Sequence, residues 1–141
     1  MAERTSLDDI PVGYTVTVRK TISESDVYLF AGITGDYDPI HVDEEFAKTT
    51  PYRTRIAHGA LVIGLMSTAS SQATRGFSVG VASLGFDRIR HTGAVFFGDT
   101  LTVTYEIASH DPARNRATAH VKVLNQRGET VGVGEHVLKI L

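Results

Sequence analysis

The second half of the chain alternates between apolar and polar positions, which is the pattern of half-buried β-strands. Apolar residues occupy every second position over residues 101–107 and again over residues 117–123, and residues 131–140 are interpreted as the last strand. The segments DPARN and NQRGE that separate these runs are rich in turn-forming residues. The pattern therefore predicts consecutive strands joined by turns.

An interrupted strand is predicted upstream of this run, between Val79 and Phe86. Val79 and Val81 alternate in one phase, whereas Leu84 and Phe86 alternate in the other. Because one extra residue exchanges the two faces of a strand, the phase change predicts a β-bulge. A separate first strand is predicted over residues 15–21.

The first helix is predicted to follow this first strand. Apolar residues recur at helical spacing from Val27 to Ala31. Ser23 or Ser25 can cap the start of this helix, and Gly35 can end it because glycine tolerates the left-handed conformation.

Two further helices are predicted, a short one in DEEFAKTT with Asp43 as its cap and a longer one from about His58 to Gln72. The segment ALVIGLM in the longer helix is apolar nearly all round, so we expect neighbours on every side of it. The order of elements predicts an α+β fold, an antiparallel β-sheet wrapped around a long central α-helix. We expect one domain over residues 1–141.

Composition and charge exclude several classes of site. The 141 residues are 42% hydrophobic and 21% charged, with a net charge of −2 and no cysteine. Disulfides, thiolate nucleophiles and cysteine-based zinc sites are therefore excluded. The start of the chain lacks the apolar core of a secretory signal, and ALVIGLM is far shorter than the roughly 20 residues that cross a bilayer. We expect a cytoplasmic protein that binds neither nucleic acid nor membranes.

Candidate chemistry is concentrated in GDYDPIH, residues 35–41. Asp36 and His41 are five positions apart, and this offset separates them on a helix and on a strand alike. Pro39 and Gly35 favour an irregular turn, which can direct both side chains to one pocket. A carboxylate beside a neutral imidazole can hold and deprotonate a water molecule. Turn formation alone also explains every residue here except the histidine, so a purely structural role stays open.

The same stretch carries a resemblance to a known family. FAGITGDYDPIHVDEEFA, residues 30–47, resembles the signature of the MaoC-like dehydratases, which include the (R)-specific enoyl-CoA hydratases. RIAHGALVIGLMS, residues 55–67, is similar to the His-Gly helix start of this family, and FFGDTLTV, residues 96–103, is similar to its later turn and strand. The matching signature positions are Asp36, Pro39, Ile40, His41 and Ala47.

The resemblance implies a hotdog fold and a site for acyl-CoA thioesters. Asp36 and His41 would together hold the catalytic water, and the backbone N–H of Gly59 would polarise the thioester carbonyl. Ser67 corresponds to a family serine that supports the site. Neither a metal nor an organic cofactor is required, and family members generally form dimers, with the substrate tunnel near the interface.

The chain departs from the family pattern at Asp38, where the family usually has asparagine. If Asp38 faced the same pocket as Asp36, the two carboxylates would repel each other. Asp38 can equally point to solvent or cap the next turn. The remaining histidines at 91, 110, 120 and 136 are interpreted as surface or pairing residues. His58 is assigned a structural hydrogen bond in preference to a metal site, because no tight ligand spacing accompanies it.

Three other functions compete with the hydratase interpretation. A hotdog thioesterase usually carries an acid on its central helix, whereas residues 58–72 contain none. A non-catalytic acyl-binding domain would not need both Asp36 and His41. A dehydratase that acts on acyl carrier protein would use the same reacting groups, since both carriers share the phosphopantetheine arm.

Overall fold

A computed structural model describes residues 3–141. The helices and strands, in chain order, are β1 (Thr15–Thr21), α1 (Glu24–Thr34), α2 (Pro39–Val42), α3 (Glu44–Ala47), α4 (Gly59–Ala73), β2 (Val81–His91), β3 (Thr100–Asp111), β4 (Arg116–Leu124) and β5 (Thr130–Ile140). The five strands form one antiparallel sheet in the order β1-β3-β4-β5-β2. The predicted α+β architecture is confirmed.

The alternation of apolar residues determines which face of the sheet packs against α4. Leu101, Val103, Tyr105 and Ile107 of β3 are all buried, while the polar residues between them lie on the other face. Strand β4 repeats this pattern through four buried residues, Ala117, Ala119, Val121 and Val123. The predicted interruption of β2 is present as well, because its register against β5 shifts between Ser83 and Gly85 and again between Asp87 and Arg90. Strand β2 begins two residues later than predicted.

Helix α4 packs one face on the sheet and leaves the opposite face exposed. The buried positions Val62, Met66, Ala69 and Ala73 form one stripe at helical spacing. The exposed positions on the other side are small residues apart from Gln72, namely Ala60, Gly64, Ser67, Thr68 and Ser71. The prediction of neighbours all round the helix is therefore wrong for the single chain, since one curved sheet covers only one side.

The ends of the shorter helices agree with the sequence prediction. Ser23 caps α1 by accepting a hydrogen bond from the N–H of Asp26, whose carboxylate in turn accepts from the N–H of Ser23. Gly35 ends α1 at a φ of 79°, a left-handed conformation that favours glycine. Asp43 caps α3 through the N–H of Phe46. Among residues 3–141, no helix is long and apolar enough to cross a membrane.

Candidate active site

The turn after α1 places Asp36 next to a one-turn helix. Asp36 follows Gly35 directly, and its Oδ1 accepts a hydrogen bond from the N–H of Asp38 at 3.3 Å. Asp38 then caps α2, because its Oδ1 accepts from the N–H of Ile40 at 3.0 Å. Of the roles considered for Asp38, the structure selects capping of the next turn.

The segment predicted as an irregular turn contains the short helix α2, and His41 lies inside it. The prediction missed this helix because four residues are too few to show a helical period. Pro39 occupies its first position, where the fixed φ of proline suits a helix start and the missing N–H costs nothing. The cap from Asp38 supplies the second helix signal.

One ring nitrogen of His41 is fixed by the protein backbone. Its Nδ1 lies 2.7 Å from the carbonyl oxygen of Ile56. A carbonyl can only accept, so Nδ1 carries the proton and donates it to this bond. In the neutral ring, Nε2 is then the nitrogen with a free lone pair. The backbone therefore orients His41 as a proton acceptor at Nε2.

His58 contacts both residues of the candidate pair. Its side chain is almost fully buried, and its ring stacks on the ring of His41 with centroids 3.8 Å apart. Its Nε2 donates to the backbone carbonyl of Asp36 at 2.9 Å, and its ring also packs against Phe30. His58 thus has the structural hydrogen bond that the sequence predicted, and the bond secures the turn that carries Asp36.

The structure brings Asp36, His41 and His58 into one cluster, in which one nitrogen or carboxylate oxygen from each lies within 4.8 Å of the others. Such a cluster has donors that a metal could use. However, the two imidazoles are stacked with an interplanar angle of only 29°. Lone pairs in nearly parallel rings do not converge on one ion, so the arrangement fits an acid–imidazole pair better than a metal centre.

A cavity of about 480 Å³ opens beside His41. Its lining comes from α2, the segment between α3 and α4, the start of α4, the end of β2 with the loop after it, and β5. The lining residues are His41, Tyr52, Ile56, Ala57, Gly59, Val62, His91, Thr92, Gly93, Ala94, Val95 and Val131. His41 and Gly59 therefore share one cavity. Asp36 lies beside His41 but is exposed and outside this lining, and Ser67 lies on the exposed face of α4 away from it.

Gly59 is the first residue of α4, and the N–H groups in the first turn of a helix have no partner within the helix. Among residues 3–141, no hydrogen bond uses the N–H of Gly59. Unpaired N–H groups at a helix start attract developing negative charge. The cavity thus combines an imidazole whose Nε2 has a free lone pair with the unpaired N–H of Gly59 at a helix start.

His91 lines this cavity and is exposed, which agrees with its interpretation as a surface residue, but its place at the site was not predicted. A Cβ atom placed on Gly59 would lie 2.5 Å from the Nε2 of His91, so the ring covers the start of α4. The prediction missed His91 because the site depends on the end of β2 meeting the start of α4.

Arg55 ties the helices around the site together. Its guanidinium bonds Glu24 at the start of α1 and Glu44 in α3, each at 2.7 Å, and it stacks over the ring of Phe97. The hydrogen bonds that Arg55 donates to Glu24 and then to Glu44 raise the pKa of Arg55, against the opposing effect of burial. Arg55 also contacts the hydroxyl of Tyr28. Arg55 is thus a structural residue that holds together the helices around the site.

Comparison with known proteins places this site in a family context. The model of the MaoC-like domain matches residues 10–128 of the chain. The chain is 39% identical to an (R)-specific enoyl-CoA hydratase of Rhodospirillum rubrum over 111 residues, which make up 79% of this chain and 75% of that protein. It is 41% identical to a 3-hydroxybutyryl-CoA dehydratase of Methylorubrum extorquens, with 78% of this chain and 68% of that protein covered.

Solved structures show the same architecture. The (R)-hydratase from A. caviae involved in PHA biosynthesis superposes with a TM-score of 0.85 at 30% sequence identity, covering 94% of this chain and 98% of that one. A similarity this close over nearly the whole length confirms the predicted hotdog fold.

Proposed function

The chain belongs to the MaoC-like domain family, and from this membership we propose that it hydrates trans-2-enoyl-CoA to (R)-3-hydroxyacyl-CoA. The reverse dehydration follows from the same site. The chain is thus a hydro-lyase, as are its relatives named enoyl-CoA hydratase and 3-hydroxybutyryl-CoA dehydratase.

The observation that carries the proposal is the pairing of two proton acceptors, His41 in the lining of the cavity and Asp36 beside it. The Nε2 of His41 is left with a lone pair by the bond from Nδ1 to Ile56, and the carboxylate of Asp36 lies close to the ring. A water molecule held by both donates both of its hydrogens to them. Its oxygen lone pairs then point away from the pair, toward the electrophilic C3 of an enoyl thioester.

The reaction balances with no further reagent. The water oxygen bonds to C3 as one O–H bond breaks, and one member of the pair takes that proton and delivers it to C2 on the same face. Negative charge builds on the thioester oxygen during addition. The free N–H of Gly59 supports this charge, and one such donor contributes about 2.7–4 kcal/mol of transition-state stabilisation. We assign the activation of water to Asp36 and His41 jointly.

Loss of the enoyl-thioester absorbance of crotonyl-CoA tests the proposal. The wild-type protein is expected to consume crotonyl-CoA, and Asp36→Asn or His41→Ala is expected to lower kcat by at least about a hundredfold. His120→Ala, an exposed site on the outer face of the sheet, serves as the control. Activity that survives both Asp36→Asn and His41→Ala would reject the assigned roles.

Two product assays separate this proposal from its competitors. Oxidation of the product by an (R)-specific, but not an (S)-specific, 3-hydroxyacyl-CoA dehydrogenase is the expected result. Release of free thiol from a saturated acyl-CoA would instead indicate a thioesterase. The same turnover measured on crotonyl carried by CoA and by acyl carrier protein decides the carrier, and we expect faster turnover with CoA.

We also propose that the functional unit is a homodimer. An apolar strip of α1 and the following turn, formed by Leu29, Ile33 and Tyr37, is 59–83% exposed next to Asp36. A second copy that covers this strip would shield the catalytic carboxylate from solvent. Light scattering of the wild type should give twice the chain mass, and Ile33→Glu should give the single-chain mass.

The supporting role of Ser67 stays a prediction, tested by the activity of Ser67→Ala.

A further inference from the structure

The ring of His91 lies against the start of α4, next to Gly59. A Cβ atom on Gly59 would lie 2.5 Å from Nε2 of His91, 2.8 Å from its Cδ2 and 2.9 Å from its Cε1. These distances place the face of the His91 ring, at its Nε2 end, against the Cα of Gly59. Both residues line the cavity that His41 also enters.

The ring nitrogens of His91 are free for a substrate. His41 and His58 each have one ring nitrogen hydrogen-bonded to a backbone carbonyl, and both ring nitrogens of His136 are hydrogen-bonded. His91 is exposed, and its imidazole takes part in no hydrogen bond among residues 3–141. Either nitrogen can therefore carry the proton, and Nε2–H is available as a donor in the cavity.

We propose that His91 contacts the substrate and donates a hydrogen bond from Nε2 to the thioester carbonyl oxygen, beside the N–H of Gly59. This inference rests on the proposed hydratase function. An oxygen bound at the N–H of Gly59 lies at the same end of α4 that the His91 ring covers. Two donors then share the charge that forms on this oxygen as water adds to C3.

The proposal also explains why residue 59 is a glycine. The backbone at this position does not have a positive φ, so no special conformation demands glycine. The nearest atoms that a side chain would meet all belong to the ring of His91. Glycine at this position thus allows the imidazole to reach the start of the helix.

Steady-state kinetics with crotonyl-CoA tests the role of His91. His91→Phe keeps a ring of similar shape without a donor, and it should lower kcat about a hundredfold with KM little changed. His91→Gln retains a donor and should recover most of that loss. His120→Gln is the matched control on the outer face. A His91→Phe enzyme with kcat within about twofold of the wild type, or with only KM changed, overturns the proposal.

A double-mutant cycle tests the shared position of the two residues. Because a methyl group at residue 59 meets the His91 ring, Gly59→Ala should displace it, and His91→Ala should then cost little more in the Gly59→Ala background. Independent effects that multiply would contradict the shared site. If the wild type itself fails to hydrate crotonyl-CoA, the proposed function fails, whereas an active wild type that is indifferent to His91 rejects this inference alone.

Discussion

His58 connects the two residues of the candidate pair through different parts of its ring. The ring edge donates to the carbonyl of Asp36, while the ring face stacks on His41. Sequence spacing indicated a structural hydrogen bond for this histidine but could not identify the bonded group, because residues 36 and 58 are brought together only by the fold. We interpret His58 as a positioning residue for both.

Substitutions at His58 separate its two contacts. His58→Phe keeps the stack but leaves the carbonyl of Asp36 without its donor, and a displaced carboxylate should lower kcat by about tenfold to a hundredfold. His58→Gln keeps a donor of similar reach and should recover a large part of this loss. Thermal melting of each variant checks that folding is intact. Equal kcat for His58→Phe and the wild type would contradict the positioning role.

Asp38 acts as a helix cap, so the family asparagine should replace it without harm. Asparagine and aspartate are both strong N-caps, and Asp38→Asn should change the free energy of unfolding by less than about 0.5 kcal/mol. Asp38→Ala removes the cap and should cost about 1 kcal/mol. Urea unfolding measures both. A large loss of stability or activity in Asp38→Asn would show that the carboxylate has a role besides capping.

At the scale of elements, the turn between α1 and α2 depends on the left-handed conformation of Gly35. A Cβ atom at Gly35 would meet no atom within 4 Å, so substitution there acts through the backbone alone. Gly35→Ala should cost about 1–2 kcal/mol, because left-handed backbone is unfavourable for residues with a Cβ. Gly35→Asn should cost less, since asparagine tolerates this conformation. Equal unfolding midpoints for the two variants would contradict the argument.

The sequence predicted those elements whose period is long enough to detect. Strand β3 alternates over residues 101–107, and the phase change in β2 indicated a bulge, because burial on one face imposes both patterns. Helix α2 was missed because it has four residues. The exposure of one side of α4 was missed because small residues such as Gly64 and Ala60 read as apolar whether they are covered or not.

At the scale of the whole molecule, His136 makes stability depend on pH. This side chain is buried between Tyr105 and Ser83, with hydrogen bonds of 2.7 Å to each hydroxyl. Burial lowers the pKa of His136 to about 4 and raises that of Tyr105 to about 12. The network lies among inward-facing strand residues. From the sequence, His136 was interpreted only as a surface or pairing residue.

Because the pKa of His136 in the folded chain is below its ordinary value of 6.5, the unfolded chain binds more protons between these two pH values. Stability should therefore be full above about pH 6.5 and fall by up to about 3 kcal/mol as the pH drops toward 4. His136→Gln cannot titrate and should flatten this dependence in urea unfolding, whereas the exposed control His120→Gln should keep it. An unchanged slope in His136→Gln would contradict the assignment.

The central claim is that Asp36 and His41 act as one unit on a single water molecule, and a double-mutant cycle on crotonyl-CoA hydration tests it most directly. If the two share the water, Asp36→Asn with His41→Ala should lower kcat no further than the more damaging single substitution. Losses that multiply, or a double variant that still turns over near the wild-type rate, would contradict the claim.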